Sequence, residues 1–410
     1  MHKRILLLCF LMFVLVHVDN AQQAITVFDI SNSQIPDNQC RYVTIDSTNR
    51  KWVGTAYGLA IYDDVNWTTY TTLNSGIVSN TINHITFDHQ GRSWIATTSG
   101  VSVFDGTNWT NYTRSNSGLS SNYIRKITID RFDHAWIGTN GGLDFFDGTN
   151  WTSYDILNSS IPVNVISGII IESDSVRWIT TINGGFVKMI DTSFTYWNTF
   201  NNGFPDNSVL DFKRDTDQTF WLASPSDGLI HFQNGFWVVE NTLNSGIPSN
   251  SLSSIEIDSL ENIYLGAYGA GIVKRSGMNY THWDTSAGIP DENIFTIAIE
   301  RTGLIWAGTE SHGLVRFDEN LWNGIPENKN ELLARVYPNP FRNHIFVPVE
   351  IETQELQVSD LSGKLILVKK IDPVNPGTID LDLSVLDPGI YFLNSTGNGK
   401  SMARKLVKLP

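Results

Sequence analysis

The sequence contains few cysteines, few charged residues and a minority of basic ones. Two cysteines occur in 410 residues, and only 17% of the side chains are charged, with 28 Lys and Arg against 42 Asp and Glu. A net charge of −14 argues against a nucleic-acid partner, whose phosphates require a basic surface. Apolar residues make up 41% of the chain, which excludes a disordered protein and allows a sizeable core.

The N-terminus has the pattern of a secretory signal peptide, predicted to span residues 1–21. His2, Lys3 and Arg4 supply positive charge before an apolar stretch from Ile5 to Val16, which is short for a transmembrane helix. A retained membrane anchor is the alternative interpretation. No second long apolar run follows, so no transmembrane helix is expected after the signal is removed. Cys40 would then be the only cysteine, and no internal disulfide is expected.

A repeat of about 42 residues dominates the chain. Three columns of residues recur at this step, two aromatic and one of asparagine. The first column is Trp52, Trp94, Trp136, Trp178, Trp221, Tyr264 and Trp306. The second is Trp67, Trp109, Trp151, Phe194, Trp237, Tyr280 and Trp322, and the third is Asn38, Asn80, Asn122, Asn164, Asn207, Asn250 and Asn293. Seven copies with this period indicate a solenoid or a propeller.

The interior of one repeat favours the propeller. Between positions 80 and 113, short runs rich in β-branched and aromatic residues are separated by Gly, Asp and Asn turns, as expected for four antiparallel strands. These runs are 82–87, 94–97, 101–104 and 109–112. Four strands per repeat are typical of one propeller blade, so the chain is predicted to be all-β, with a seven-bladed propeller over residues 22–325.

The N-terminal strand is predicted to close the ring. Residues 24–29 align with the fourth strand of a blade but follow no first three strands, while the seventh copy stops just after Trp322. We therefore expect residues 24–29 to supply the outer strand of the last blade, because an unpaired apolar strand would promote aggregation. In the alternative interpretation, Leu321 and Trp322 pair there and the N-terminal strand stays loose.

The repeat resembles the two-component-regulator propeller repeats of periplasmic polysaccharide sensors. The matching pieces are Trp-Ile-Gly-Thr at 136–139, Gly-Gly-Leu at 141–143 and Asn-Ser-Gly-Leu-Ser-Ser-Asn at 116–122. The resemblance extends over about residues 24–323 and implies the architecture rather than the ligand. Those sensors continue into a membrane helix and a kinase, which are not seen in this sequence, so the kinase role is not carried over.

The last eighty residues follow a different pattern. After a linker at 326–334, residues 335–410 show alternating apolar runs between Gly and Pro turns, which predicts a small β-sandwich. Several ordered motifs resemble the type A sorting domain of the type IX secretion system. The matching residues are Tyr337, Pro338, Asn339, Pro340, Gly363, Pro388, Gly389 and Tyr391. The resemblance implies handling by that machinery, passage through the periplasm, and a secreted or surface-attached protein.

Positions that differ between copies are the candidates for ligand binding. The aromatic and asparagine columns and the recurrent acids that open turns are assigned to structure. Because successive strands alternate in direction, two sets of loops lie on the face over the central channel. These loops connect strand four to the first strand of the next blade and strand two to strand three, and their residues differ between copies. The candidate binding residues there are Arg41, Tyr57, Asn83, His84, Tyr123, Arg125, Asn140, Asn183, Asp211, Asp227, Tyr268, Glu310 and His312.

Three functions are compatible with these residues. Aromatic, amide and charged groups around one opening favour recognition of a polysaccharide or another extracellular polymer, without catalysis. A polysaccharide lyase is the alternative, with His84 or Tyr123 as the base and Arg41 or Arg125 facing the sugar carboxylate. A scaffold for surface proteins is the third. Residues 22–330 hold 32 acidic and 17 basic side chains, which counts against an anionic ligand. No zinc or EF-hand spacing occurs, so we predict neither metal nor cofactor.

Overall fold

The computed structural model describes residues 24–233, 235–322, 336, 341–349, 355–360, 363–371, 377–397 and 400–409. Apart from one 3-10 turn at Thr285–Ala287, the regular elements in these residues are strands. The signal peptide predicted at 1–21, the linker predicted at 326–334 and the motif residues Tyr337, Pro338, Asn339 and Pro340 lie outside the described residues.

The chain begins with a single strand and continues with four-stranded antiparallel sheets. The opening strand is β1 (Ile25–Phe28). The first sheet comprises β2 (Cys40–Ile45), β3 (Lys51–Thr55), β4 (Leu59–Tyr62) and β5 (Trp67–Tyr70). The second comprises β6 (Ile82–Phe87), β7 (Ser93–Thr97), β8 (Val101–Phe104) and β9 (Trp109–Tyr112). The third comprises β10 (Ile124–Ile129), β11 (Ala135–Thr139), β12 (Leu143–Phe146) and β13 (Trp151–Tyr154).

Four more sheets continue the series. The fourth comprises β14 (Ile166–Ile171), β15 (Val176–Thr181), β16 (Phe186–Ile190) and β17 (Ser193–Trp197). The fifth comprises β18 (Asp211–Arg214), β19 (Phe220–Ala223), β20 (Leu229–Gln233) and β21 (Phe236–Glu240). The sixth comprises β22 (Leu252–Ile257), β23 (Ile263–Ala267), β24 (Gly271–Ser276) and β25 (Asn279–Trp283). The seventh comprises β26 (Ile294–Ile299), β27 (Ile305–Thr309), β28 (Leu314–Phe317) and β1.

The seven sheets form a closed ring of blades. The first strand of each sheet contacts the first strand of the next, and β26 contacts β2, so these strands surround a central channel. The ring is joined through β1, which pairs antiparallel with β28 in a register that sets Ile25 opposite Phe317 and Phe28 opposite Leu314. The predicted all-β, seven-bladed propeller is therefore confirmed.

The aromatic columns pack between neighbouring blades. Trp94 of the second blade is 2% exposed and lies in one apolar cluster with Ile124 and Ile137 of the third. Its indole Nε1 donates to Oδ2 of Asp88 at 2.9 Å, while the other oxygen of Asp88 accepts backbone N–H groups of the turn. Asp46 makes the same contacts with Trp52 in the first blade. The recurrent acids thus hold turns and tryptophans in place.

Six of the seven asparagines in the third column tie their connecting loop to itself. Oδ1 of Asn80 accepts the backbone N–H of Thr72, eight residues earlier, at 2.7 Å. The same eight-residue bond is made by Asn38, Asn122, Asn164, Asn207 and Asn250. The structural role predicted for these six asparagines is confirmed. Asn293 differs, since it accepts from Gly269 N–H and donates to Glu310.

The C-terminal part consists of two sheets around a separate apolar core. One sheet pairs β29 (His344–Val349) with β32 (Gly377–Asp382). The other has the order β31 (Leu365–Lys370), β30 (Glu355–Asp360), β33 (Gly389–Gly397), β34 (Lys400–Lys408). Apolar residues of both sheets, among them Ile345, Leu381, Val358 and Leu393, share one buried cluster. This arrangement is the predicted sandwich.

The described motif residues of the sandwich have structural roles. Gly363 adopts a left-handed backbone (φ 81°) in the β30–β31 turn, where its N–H donates to the carbonyl of Asp360. Glycine is the residue best suited to this conformation. Pro388 and Gly389 lead into β33, and the hydroxyl of Tyr391 donates to the carbonyl of Asp387 at 2.8 Å.

Candidate functional site at the mouth of the central channel

A β-bulge in the innermost strand turns extra side chains toward the channel. In six of the seven sheets the pairing of the first and second strands shifts by one residue, as it does between Cys40 and Tyr42 in the first blade. A bulge places two residues opposite one and re-aims a side chain. Arg41 and Tyr42, although adjacent in sequence, therefore both line the channel.

An open cavity of about 340 Å³ occupies the mouth of the channel. Every blade contributes to its wall, and most of the lining residues are the second residue of the innermost segment. The lining residues are Arg41, Asn83, Tyr123, Arg125, Ser167, Leu210, Ser253, Tyr268 and Phe295. Nine side chains from seven copies of one repeat therefore form a single asymmetric site.

One side of the mouth is cationic and rich in amides. Nη2 of Arg41 donates to Oδ1 of Asn83 at 3.1 Å, and Nε of Arg125 donates to Oδ1 of Asn140 at 2.6 Å. The guanidinium of Arg125 also lies 5.1 Å from the ring centre of Tyr123. Burial lowers the pKa of Arg125, and the nearby charge of Arg41 acts in the same direction. The two cations therefore share one region of the wall.

Another part of the wall is aromatic. The rings of Tyr268 and Phe295 are 5.8 Å apart and nearly perpendicular, at 66°. Burial raises the pKa of Tyr268, and the charge of Glu310 adds to this effect, so the phenol is neutral at pH 7 and presents a hydroxyl. Such a pair offers flat apolar faces beside a polar group.

A second polar layer lies below the mouth, around a cavity of about 140 Å³. Its charged groups pair with each other, because Nζ of Lys126 lies 3.3 Å from Asp211 and Nζ of Lys213 lies 2.6 Å from Glu256. His84 is 5% exposed, and burial, reinforced by the two lysine charges, holds its pKa well below 6.5. The imidazole is therefore neutral at pH 7.

The structure brings together only part of the predicted set of residues. Arg41, Asn83, Tyr123, Arg125 and Tyr268 line the mouth. His84 and Asp211 belong to the layer below, and Asn140 contacts the mouth through Arg125.

The other five candidate residues lie outside both cavities, in loops between the second and third strands of their blades. These residues are Tyr57, Asn183, Asp227, Glu310 and His312. The equivalent loops of the third and sixth blades bring Asn140 and Tyr268 to the mouth. Ligand binding by the other five residues stays a prediction. Their groups bond locally: Glu310 accepts from Asn293, and Nδ1 of His312 lies 3.1 Å from Asp291.

Four lining residues were not among the sequence candidates, namely Ser167, Leu210, Ser253 and Phe295. They occupy the same column as Arg41, Asn83 and Arg125 at a step of about 42 residues. That step is the signal that would have identified them. Small and apolar residues in a strand do not otherwise indicate a site.

No group of three or more His, Cys, Asp or Glu in the described residues is arranged to hold a metal ion. The described part of the chain also contains no helix that is long and apolar enough to cross a membrane. Cys40 is buried and free.

The C-terminal residues match a known family. Residues 335–409 match the model described as "Secretion system C-terminal sorting domain". The predicted type IX sorting domain is thereby confirmed, and the chain is a propeller protein destined for secretion or the cell surface. The sequence matches no curated protein.

Several solved structures share the fold. One is the extracellular domain of the hybrid two component system BT3049 from B. thetaiotaomicron, with a TM-score of 0.65 and 19% identity over 95% of this chain and 58% of that one. Another is PorZ, a surface component of the type-IX secretion system of Porphyromonas gingivalis, with a TM-score of 0.58 and 14% identity over 94% and 61%. A third is virginiamycin B lyase from Staphylococcus aureus, with a TM-score of 0.57 and 15% identity over 71% and 98%.

At these identities the likeness shows the fold alone. This chain spans about three fifths of the length of the first two structures. The likeness to extracellular domains of two-component systems confirms the propeller architecture that the resemblance in the repeats implies.

Proposed function

We propose that this protein is a secreted or surface propeller that binds an extracellular polysaccharide at the mouth of its central channel. The supporting observation is the convergence of Arg41, Asn83, Tyr123, Arg125 and Tyr268, which come from four blades, on one open cavity. A cavity of about 340 Å³ is within the range of small-ligand sites and accommodates a short stretch of sugar residues.

The chemistry of the wall suits sugar rings. The Tyr268–Phe295 pair supplies apolar faces, against which the C–H face of a pyranose can pack. Asn83 and the arginines supply hydrogen-bond donors for hydroxyl and ring oxygens. Arg41, Asn83, Arg125 and Phe295 are carried by paired strands and Tyr268 by a short loop, so they lose little conformational entropy when a ligand binds.

The C-terminal sorting domain is consistent with this role, since export brings the protein to the compartment where such polymers are found. The proposed ligand is thus an extracellular glycan, with a surface protein as the alternative partner. We also propose that the type IX secretion machinery handles the chain before its sorting domain is removed.

A lyase activity is the second candidate. Virginiamycin B lyase, a structural neighbour, has been solved as a catalytically inactive variant with quinupristin, so the same fold holds a lyase site in that protein. In this chain a neutral His84 in the channel, or Tyr123 beside Arg125, would be the base. The low exposure of His84 favours binding over catalysis.

A polysaccharide panel separates these functions. The protein is incubated with insoluble and soluble glycans, depletion from solution is measured, and ultraviolet absorbance of unsaturated products is followed in parallel. We expect retention on at least one glycan without absorbance. Tyr268→Ala should weaken binding about tenfold, equivalent to ~1.4 kcal/mol. Tyr57→Ala is the matched control, because Tyr57 is 65% exposed and lies outside the cavity.

Each other result points to a different function. If the unmodified protein generated products with ultraviolet absorbance and His84→Ala did not, a lyase activity would be established. Absence of binding to every glycan, together with capture of a surface protein, would favour the scaffold. Equal losses in Tyr57→Ala and Tyr268→Ala would contradict a site at the channel mouth.

A further inference from the structure

Several arginines of this acidic propeller are neutralised by carboxylates. Five pair with Asp or Glu within the described residues, namely Arg50 with Asp46, Arg92 with Asp88, Arg131 with Asp174, Arg214 with Glu172 and Arg275 with Glu240. Arg41 and Arg125 at the mouth differ, since their side-chain partners in the described part of the chain are the amides of Asn83 and Asn140. Two half-buried positive charges are thus left without a counter-charge.

One nitrogen of Arg41 also lacks a hydrogen-bond partner within the described part of the chain. Nε of Arg41 is enclosed by protein and has no hydrogen-bond partner among the described residues. A partly desolvated cation without a counter-charge is costly, and an anion bound where the two guanidinium groups line the cavity would lower that cost. Arg41 and Arg125 belong to the first and third blades and stand in the same column on either side of Asn83, so both face the same part of the cavity.

We propose that the mouth recognises glycans that contain uronic acids, with the sugar carboxylate received by Arg41 and Arg125 and the ring packed toward Tyr268 and Phe295. This inference rests on the proposed function and names the class of polysaccharide. A planar carboxylate accepts paired N–H donors from a guanidinium, which a neutral sugar cannot do in the same way. A wall that carries both guanidinium and aromatic groups matches a ring that carries one charge.

The overall negative charge of the propeller does not oppose this local recognition. At an ionic strength of 0.15 M, exposed charges more than about 8 Å apart are largely screened, whereas partly buried pairs are screened much less. The acidic surface therefore affects the approach of a long polyanion, while the contact at the mouth is governed by the two arginines.

Polygalacturonate and its fully methyl-esterified form provide a direct test, because they share a backbone and differ in the carboxylate charge. Binding of the full chain to each is measured by titration calorimetry at 0.15 M salt. We expect the acid form to bind at least tenfold more tightly than the ester. Arg41→Gln and Arg125→Gln should each remove most of that difference, with thermal unfolding used to verify that both variants are folded. Arg114→Gln is the matched control, since Arg114 is exposed in a loop on the same face, outside the cavity.

The outcomes distinguish this inference from the proposed function. Equal affinity for acid and ester, with a loss in Tyr268→Ala, would overturn the uronate inference and leave glycan binding intact. Absence of binding to the acid form, to the ester form and to every neutral glycan would overturn both the uronate inference and the proposed function. Tighter binding of a peptide with a free C-terminal carboxylate than of polygalacturonate would also overturn it, in favour of a protein ligand.

Discussion

Nζ of Lys51 lies 2.9 Å from Oε1 of Glu300, and this ion pair spans the junction where the first blade meets the seventh. The Lys51 side chain is fully buried, and Glu300 is 4% exposed. Glu300 also accepts from Nε1 of Trp306 at 2.7 Å, and Lys51 lies above the Trp306 ring, 5.1 Å from its centre. Among the described contacts, this buried charge cluster joins the two ends of the repeat series.

Removal of one partner of this pair should destabilise the ring. Lys51→Met leaves the carboxylate of Glu300 buried without its cation, a change that typically costs about 3–5 kcal/mol. Urea unfolding monitored by tryptophan fluorescence measures the loss. Arg50→Gln is the control, because Arg50 is half exposed and its pair with Asp46 should be worth no more than about 1 kcal/mol. The double variant Lys51→Met/Glu300→Leu should recover part of the stability; equal losses for Lys51→Met and Arg50→Gln would contradict the role of the pair.

The N-terminal strand should be required for closure. Deletion of residues 24–29 removes β1 and leaves the edge of β28 unpaired, and an exposed edge strand invites association with other chains. We expect the truncated protein to unfold at lower urea concentration and to form soluble aggregates in size-exclusion chromatography. A synthetic peptide of residues 24–33 should restore the monomer by adding back the strand. A truncated protein that remains monomeric and equally stable would contradict closure through β1.

A small residue should be needed where the seventh blade meets the first. A Cβ at Gly308 would lie 2.5 Å from the carbonyl oxygen of Cys40, so Gly308→Val should cost about 1–3 kcal/mol through overpacking. Urea unfolding again measures the effect. Gly246→Ala is the control, because a Cβ there meets Tyr280 at an ordinary 3.4 Å. If Gly308→Val were as stable to urea as the unmodified protein, the two blades would pack less closely than in the structure.

Acid should weaken the junction of the fifth and sixth blades through Glu240. Burial raises the pKa of this carboxyl, but hydrogen bonds from His231, Arg275 and Tyr280 outweigh it and lower the pKa from 4.5 to about 2. Because the folded pKa lies below the unfolded value, the stabilisation is complete above pH 4.5 and is lost as the pH falls toward 2.

The test compares urea unfolding at pH 6 and pH 3. The unmodified protein should lose more stability between these two pH values than Glu240→Gln does, since the variant lacks the titrating group. Glu292→Gln, which changes an exposed carboxylate, should behave like the unmodified protein. Identical pH dependence of the unmodified protein and Glu240→Gln would contradict the assigned role.

The repeat made the architecture predictable from sequence, because its recurrent residues hold the blade together. Trp94 recurs since its indole packs between blades and bonds to Asp88, and Asn80 recurs since it closes a loop onto Thr72. Each such contact is local and is repeated in most copies. Each repeat of this one sequence therefore gives a separate example of the contacts that a blade requires.

The candidate site was less predictable, for a geometrical reason. No residue type in the sequence marks the bulge that turns both Arg41 and Tyr42 to the channel. Strict alternation of side chains along the strand would point one of these two residues away from the channel. Tyr57 and Tyr268 occupy equivalent loops and look alike in sequence, yet only Tyr268 lines the cavity. The distance of a loop from the channel axis depends on how the blades pack, and sequence spacing does not report it.

A crystal structure of the protein with a trigalacturonate bound would test the central claim most directly. We expect electron density for the sugar at the mouth of the channel, with a carboxylate within hydrogen-bond distance of Arg41 or Arg125 and a ring against Tyr268. Sugar density bound instead at the outer rim of the blades or on the C-terminal sandwich, with an empty mouth, would contradict it.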